Sequence, residues 1–146
     1  MIMRIVVLVG LPGSGKSTYL ERLGITGLSS DAIRRLLADD ETDQTINHRV
    51  FQTLRYLLRQ RIAAARSVTY IDATNLTPDE RRPYILIGKR CGCEVEALFF
   101  DVSLDVCMAR NAQRQRVVPE EAMLKLAGKL QAPLLDEGFD RIGVIS

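Results

Sequence analysis

The sequence predicts an α/β fold, a five-stranded parallel sheet with helices on both faces. Three observations lead there. Short apolar, β-branched runs alternate with helical patterns along the chain. The first such run ends in a glycine-rich turn that opens directly into a helix. The 146 residues, 47% hydrophobic and 26% charged, suffice for one domain (residues 1–146) with an apolar core, and no repeat, low-complexity tract or linker divides them.

Arg4-Ile5-Val6-Val7-Leu8-Val9 reads as a fully buried first strand. Gly10-Leu11-Pro12-Gly13-Ser14-Gly15-Lys16-Ser17-Thr18 follows and fits G-x-x-x-x-G-K-[ST], the phosphate-binding P-loop. The residues from Thr18 to Leu23 continue as the first helix. Thr26 to Ser29 reads as a short second strand with Asp31 just past its end, and Ala32 to Ala38 as a helix capped by Ser30 or Asp31. Asp39 to Asp43 is an acidic, solvated loop. Ile46 to Arg66 is the longest helix, with Ile46, Val50, Leu54, Leu57, Leu58 and Ile62 at spacings of three and four. Its arginines, Arg49, Arg55, Arg59, Arg61 and Arg66, with no acidic residue among them, form a basic face that either is solvated or meets nucleic acid.

Val68 to Asp72 is the third strand, ending in Asp72-Ala73-Thr74-Asn75. Thr77-Pro78-Asp79-Glu80 is a capping-box helix start, and that helix runs to about Arg90, stopped by Gly92. Glu94 to Asp101 is the fourth strand, and Ser103 caps a helix through about Arg114. The segment from Arg110 to Arg116 carries three positive charges and no negative one. Pro119-Glu120-Glu121 starts a helix ending near Lys129, and Arg141 to Ile145 is the fifth strand. Ligands in such sheets sit at the carboxyl ends of the strands, where Gly10, Asp31, Asp72 and Asp101 fall.

The glycines let successive backbone N–H groups point inward at an anion, and the helix N-terminus adds its positive dipole end. Gly10, Pro12, Gly13, Ser14, Gly15, Lys16, Ser17 and Thr18 are therefore the expected nucleoside triphosphate site, with Lys16 at the β/γ-phosphates and Ser17 on Mg²⁺. The chain lacks the N-K-x-D pattern of GTPases, and its size leaves little room for oligomeric ATPase machinery. Phosphoryl transfer to an alcohol needs little beyond what remains, an acid and mobile arginines. Asp31 is either the general base or a helix cap. Asp72 either holds Mg²⁺ or accepts backbone N–H groups in its turn, and Asp101 has the same strand-end position in a weaker context. Arg110 and Arg114, four apart on one helical face, form an arginine-bearing lid or a solvated surface.

Three cysteines without a C-x-x-C pair suit free thiols in a cytoplasmic protein, and the single His48 reads as an ordinary helix residue. No apolar run reaches the ~20 residues of a membrane span, and no signal peptide is visible. A net charge of +2 says little about partners.

The chain resembles the 5′-hydroxyl polynucleotide kinases, in particular the kinase domain of bacterial RNA-repair kinase–phosphatases. The matching stretches are Gly10 to Thr18, Ser29-Ser30-Asp31 with Arg34, Asp40-Glu41-Thr42-Asp43-Gln44, Asp72-Ala73-Thr74-Asn75, and Arg110-Asn111 with Arg114. The resemblance implies a single P-loop NTPase domain of the nucleoside-monophosphate-kinase-like kind, using ATP and Mg²⁺ to phosphorylate a 5′-OH end of RNA or DNA. It makes Lys16 and Ser17 the phosphate and Mg²⁺ contacts, Asp31 the base on the 5′-hydroxyl, and Arg34 a contact to the acceptor's phosphate. It makes Arg110 and Arg114 the lid on the donor phosphates. Arg34 would otherwise pass as a helix surface residue. The bifunctional relatives continue into phosphatase and ligase-like domains, whereas this chain has no D-x-D-G-[TV] nucleophile and no metallophosphatase histidine cluster. Either it acts as a stand-alone kinase, with phosphatase and ligase activities supplied by separate partners, or its acceptor has drifted from nucleic acid to a small molecule or nucleotide-sugar on the same scaffold. A nucleotide-binding regulator without an acceptor is the reading from a different class.

Overall fold

The computed structural model describes residues 2–115 and 117–146; Arg116, the third cation of the basic segment, lies outside the described residues. Five strands, β1 (Arg4–Val9), β2 (Leu28–Ser29), β3 (Val68–Asp72), β4 (Glu94–Phe100) and β5 (Arg141–Ile145), form one sheet in the order β2-β3-β1-β4-β5. Every pairing is parallel, with Val7 opposite Ile71 on one side and Ala97 on the other. The helices are α1 (Lys16–Arg22), α2 (Ser30–Ala38), α3 (Asn47–Ala63), α4 (Pro78–Cys91), α5 (Leu104–Ala112) and α6 (Glu120–Lys129). The chain leaves β1 for the edge strand β2 and returns to both flanks of β1. The carboxyl end of β1, between β3 and β4, is thus the point where strand order reverses.

The strand alternation explains the layers. Ile5, Val7 and Val9 point to one face and pack with Ile33 of α2, with Val50, Leu54 and Leu58 of α3, and with Tyr84, Ile85 and Ile87 of α4. Val6 and Leu8 point to the other face, onto Leu20 of α1 and onto Phe100, whose ring meets Tyr19 edge-on at 5.6 Å. A third cluster, Leu11, Leu76, Cys107 and Met123, sits at the carboxyl end of the sheet and joins the P-loop to α5 and α6. Truncating a fully buried leucine such as Leu54 or Leu58 would cost about 2–5 kcal/mol.

β1, β3, β5 and the end of α6 fall where the sequence predicts, and local chemistry shifts other boundaries. β2 is only two residues because just Leu28 and Ser29 reach β3, opposite Ile71 and Asp72. Gly27 before them is wedged against α1, where a Cβ would lie 2.8 Å from Leu20 Cδ1. The cap of α2 is Ser29, not Ser30 or Asp31, and its hydroxyl accepts from the Ala32 N–H at 3.1 Å. That starts α2 two residues early and puts Asp31 in its first turn. Thr77 caps α4 as expected, but Glu80 reaches past the cap to accept from the Leu76 N–H at 2.7 Å. The acidic loop is not simply solvated. Asp40 and Asp43 fold back onto the Thr42 and Thr45 N–H groups, and a 3₁₀ turn (Gln44–Ile46) leads into α3.

α5 stops at Ala112 instead of reaching Arg114, because Gln113 and Arg114 turn back to the Arg110 and Asn111 carbonyls. The Asn111 side chain then clamps Val118, donating to its carbonyl at 2.7 Å and accepting from its N–H at 3.0 Å. A loop bearing Arg114 is thereby closed against the helix. Another brace is buried Arg81, whose fork meets both oxygens of Glu137 at 2.8 Å and whose Nη1 donates to the Asn75 and Gln131 carbonyls. It ties the turn after β3 to the segment after α6.

Candidate functional site

Gly13 (φ +84°) and Gly15 (φ +101°) hold the left-handed conformations that curl the loop between β1 and α1 around an anion-sized hollow. At Gly13 a Cβ would lie 2.5 Å from the Cys107 carbonyl, so α5 presses directly on the loop. Buried Lys16 donates from Nζ to the Gly10 and Leu11 carbonyls at 2.8 and 2.9 Å and rests 3.5 Å from Ser14 Oγ. Burial pushes its pKa down to about 8, with nearby Arg114 adding to the push and Asp72 opposing it.

Asp72, at the end of β3, accepts from Ser17 Oγ at 3.1 Å. Burial raises its carboxyl above the ordinary range, against the pull of Lys16 and Ser17. A hydroxyl and a carboxylate oxygen side by side, backed by a loop shaped for phosphates, fit Mg²⁺, which takes one or two protein oxygens and completes its shell with water and phosphate. No group of three or more His, Cys, Asp and Glu able to hold a metal occurs among the described residues, so no all-protein cage competes with this pair.

The turn that Asp72 opens is itself fixed. Asn75 (φ +48°) is buried and donates to the Leu8 carbonyl at 2.7 Å, while the Gly10 N–H donates to the Thr74 carbonyl at 3.0 Å. The last residue of Asp72-Ala73-Thr74-Asn75 therefore locks β3 to the end of β1, where the P-loop begins.

Across a cleft of about 1450 Å³ from the loop stands α2. Asp31 and Arg34, one turn apart, are paired at 2.9 Å, and Arg34 Nη2 donates to Asn47 Oδ1 at 2.8 Å. Asn47 in turn donates to Gln44 Oε1 at 3.1 Å. Arg34 is buried, not a helix surface residue, and its Nε has no hydrogen-bond partner although water does not reach it. The Asp31 side chain keeps 40% of its exposure and opens to the cleft.

Arg110, on the last turn of α5, reaches the Ser14 carbonyl at 3.4 Å. Arg114 lies beyond the helix, so the two do not share a helical face, yet both line the cleft. Arg114 Nη1 is buried without a hydrogen-bond partner, a cation close to the loop with donor capacity in reserve. The structure thus gathers Gly13 to Thr18, Asp31, Arg34, Asp72, Arg110 and Arg114 around one cleft, with Pro12 beside them. Asp101 is exposed just past β4 and does not line it. Sequence reasoning missed Asn47 and Phe51, which line the cleft from α3 together with Arg55, a residue it placed only on a basic helix face. Their shared spacing of four along one helix was the available signal.

A family model described as an AAA domain matches residues 5–133. Among curated proteins, the chain is 26% identical over 145 residues to the bifunctional polynucleotide phosphatase/kinase of Schizosaccharomyces pombe, covering 94% of this chain and 32% of that one. It is 22% identical over 136 residues to the L-seryl-tRNA(Sec) kinase of Methanococcus maripaludis, covering 88% and 53%. The chain thus spans between a third and about half of the length of these relatives. Among solved structures, a chain of the Pnkp1/Rnl/Hen1 RNA repair complex superposes with a TM-score of 0.67 at 24% identity, over 89% of this chain and 44% of that one, a likeness of fold. The chain belongs to the AAA domain family, as a P-loop kinase-like domain similar to that of polynucleotide kinases.

Proposed function

We propose that the protein is an ATP-dependent kinase that phosphorylates a 5′-hydroxyl end of RNA or DNA. The observation that carries this reading is the Asp31–Arg34 pair, facing the P-loop across one cleft, with an acid open to the cleft and a buried guanidinium whose Nε lacks a partner. The loop N–H groups and Lys16 bind the β- and γ-phosphates of ATP, Lys16 exchanging its two carbonyl partners for phosphate oxygens. Arg34 holds a phosphate of the acceptor strand and so brings its terminal hydroxyl to Asp31. Asp31 takes the proton as the O5′–P bond forms and the bond from γ-phosphorus to the β-phosphate oxygen breaks, releasing ADP. Arg110 and Arg114 close on the donor phosphates, where arginines in related P-loop enzymes are worth about 10³–10⁵ in rate. Ser17 and Asp72 would hold Mg²⁺, which when bound neutralises charge on the β- and γ-oxygens.

The domain's similarity to kinases of a polynucleotide and of an aminoacyl-tRNA supports a large, anionic acceptor. Transfer of labelled γ-phosphate from ATP to short 5′-OH RNA and DNA strands tests the reading, with Lys16→Ala as control. Label at the 5′ end of either strand, lost in the control, is expected. No label, with ATP binding intact, overturns the polynucleotide acceptor and directs the search to small molecules.

A further inference from the structure

We propose that the cleft continues past the reaction centre into a second acceptor subsite on α3, where Arg55 takes the next phosphate of the strand and Phe51 gives a stacking wall for the base between. The preferred acceptor is then a strand of at least two nucleotides, an inference that rests on the polynucleotide reading above.

Asn47, Phe51 and Arg55 are spaced four apart and all line the cleft, so they form one stripe on α3. The adjacent stripe, Val50, Leu54 and Leu58, is buried in the core, which fixes the helix rotation and sets the first stripe at the core's edge, facing the cleft. Arg34 is tethered at Asn47, at the start of the helix, and Arg55 lies about 12 Å further along the axis, two turns on. Two cationic residues along one cleft wall, with an aromatic ring between, suit the phosphates and a base of one strand better than they suit one small acceptor.

Arg55 differs from its helix neighbours. Arg61 is engaged, donating to Thr69 Oγ1 at 2.9 Å and to the Val68 carbonyl at 2.8 Å, and Arg49 and Arg59 are exposed away from the cleft. Arg55 is half-buried in the cleft wall and makes no hydrogen bond or ion pair with the described residues. Two acids that line the same cleft are already engaged: Asp79 pairs with Arg82 at 2.7 Å and Glu80 holds the Leu76 N–H. Lys125 and Lys129 of α6 line the same cleft and add positive charge. A half-buried cation without a protein anion, in a cleft enriched in cations, is what a strand of phosphates requires and a neutral sugar does not.

The test is binding of a 3′-labelled, 5′-OH single-stranded RNA ten-mer, followed by anisotropy between 50 and 200 mM salt, for the wild type and Arg55→Ala. The variant is expected to bind about five- to ten-fold more weakly. Its log–log salt slope should be shallower by about 0.7, one phosphate's share. Arg55→Lys, which keeps the charge but not the fork, should retain the slope and lose part of the affinity. In transfer assays the loss should fall on acceptor KM, and more on a dinucleotide 3′-phosphate than on a nucleoside 3′-monophosphate. An unchanged slope and affinity in Arg55→Ala, or an equal loss on both acceptors, would overturn the subsite. Strand binding that depends on Arg55 without any transfer upholds the subsite and overturns the kinase reading. Transfer that ignores Arg55 does the reverse.

Discussion

Nucleotide affinity should fall steeply with rising pH, through Lys16. In the empty loop its ammonium is buried, and its pKa is pushed down to about 8. Phosphate oxygens stabilise the charged form, so ATP binds the protonated lysine and binding takes up a proton wherever the free lysine is neutral. Below pH 8 the affinity is at its maximum. Above it the affinity drops by about ten-fold per pH unit until the pKa of the complex is reached. At pH 9 about nine-tenths of the empty loops carry a neutral lysine, and Kd is about ten-fold higher than at pH 7. Unfolding does not mimic this. The folded pKa lies below the unfolded value, so between pH 8 and 10.5 the unfolded chain binds more protons and the contribution of Lys16 to stability rises with pH. Calorimetric titration with Mg²⁺–ATP between pH 7 and 9.5 reads the effect. Lys16→Met should bind weakly and with a flat profile. A flat wild-type profile, or a variant falling in parallel, would refute the reasoning.

Glu137→Ala should leave Arg81 as an uncompensated buried charge, at a cost of about 3–5 kcal/mol, or roughly 10–15 °C in Tm, read by thermal denaturation. A fall of 2 °C would mean that the Asn75 and Gln131 carbonyls suffice. Asp72→Asn separates the metal-site reading from the structural one. Burial raises the Asp72 carboxyl pKa, so the charged form opposes folding at neutral pH, and the amide can still accept from Ser17. The metal-free variant should therefore melt no lower than the wild type while losing most of the stabilisation that Mg²⁺–ATP confers. A variant that melts lower without ligand, yet keeps that stabilisation, would show Asp72 to be structural.

The P-loop was fully legible because one short motif dictates its own geometry: glycines at positive φ, a lysine, and a helix start. The sheet was legible because the apolar runs of β1, β3 and β4 leave no other placement. What escaped was set by contacts between distant residues. Ser29 rather than Ser30 or Asp31 caps α2, because the last residue of β2 itself turns its hydroxyl onto the Ala32 N–H and the helix follows the strand without a gap. Arg34 carries a surface residue's charge and helical position, yet Asp31 and Asn47 bury it, a constellation spanning two helices that spacing along one cannot reveal. The end of α5 depends on Asn111 clamping Val118, a side chain competing with helix continuation. Arg81 and Glu137 lie 56 positions apart, so nothing local announced their pairing.

The central claim is that Asp31 serves the reaction rather than the fold. Single-turnover transfer from ATP to a 5′-OH strand, measured with ATP affinity on the same Asp31→Ala preparation, tests it most directly. Transfer should fall by about 10²–10⁴-fold with ATP affinity within two-fold of the wild type. Transfer and ATP affinity lost together, or transfer that survives, would contradict it.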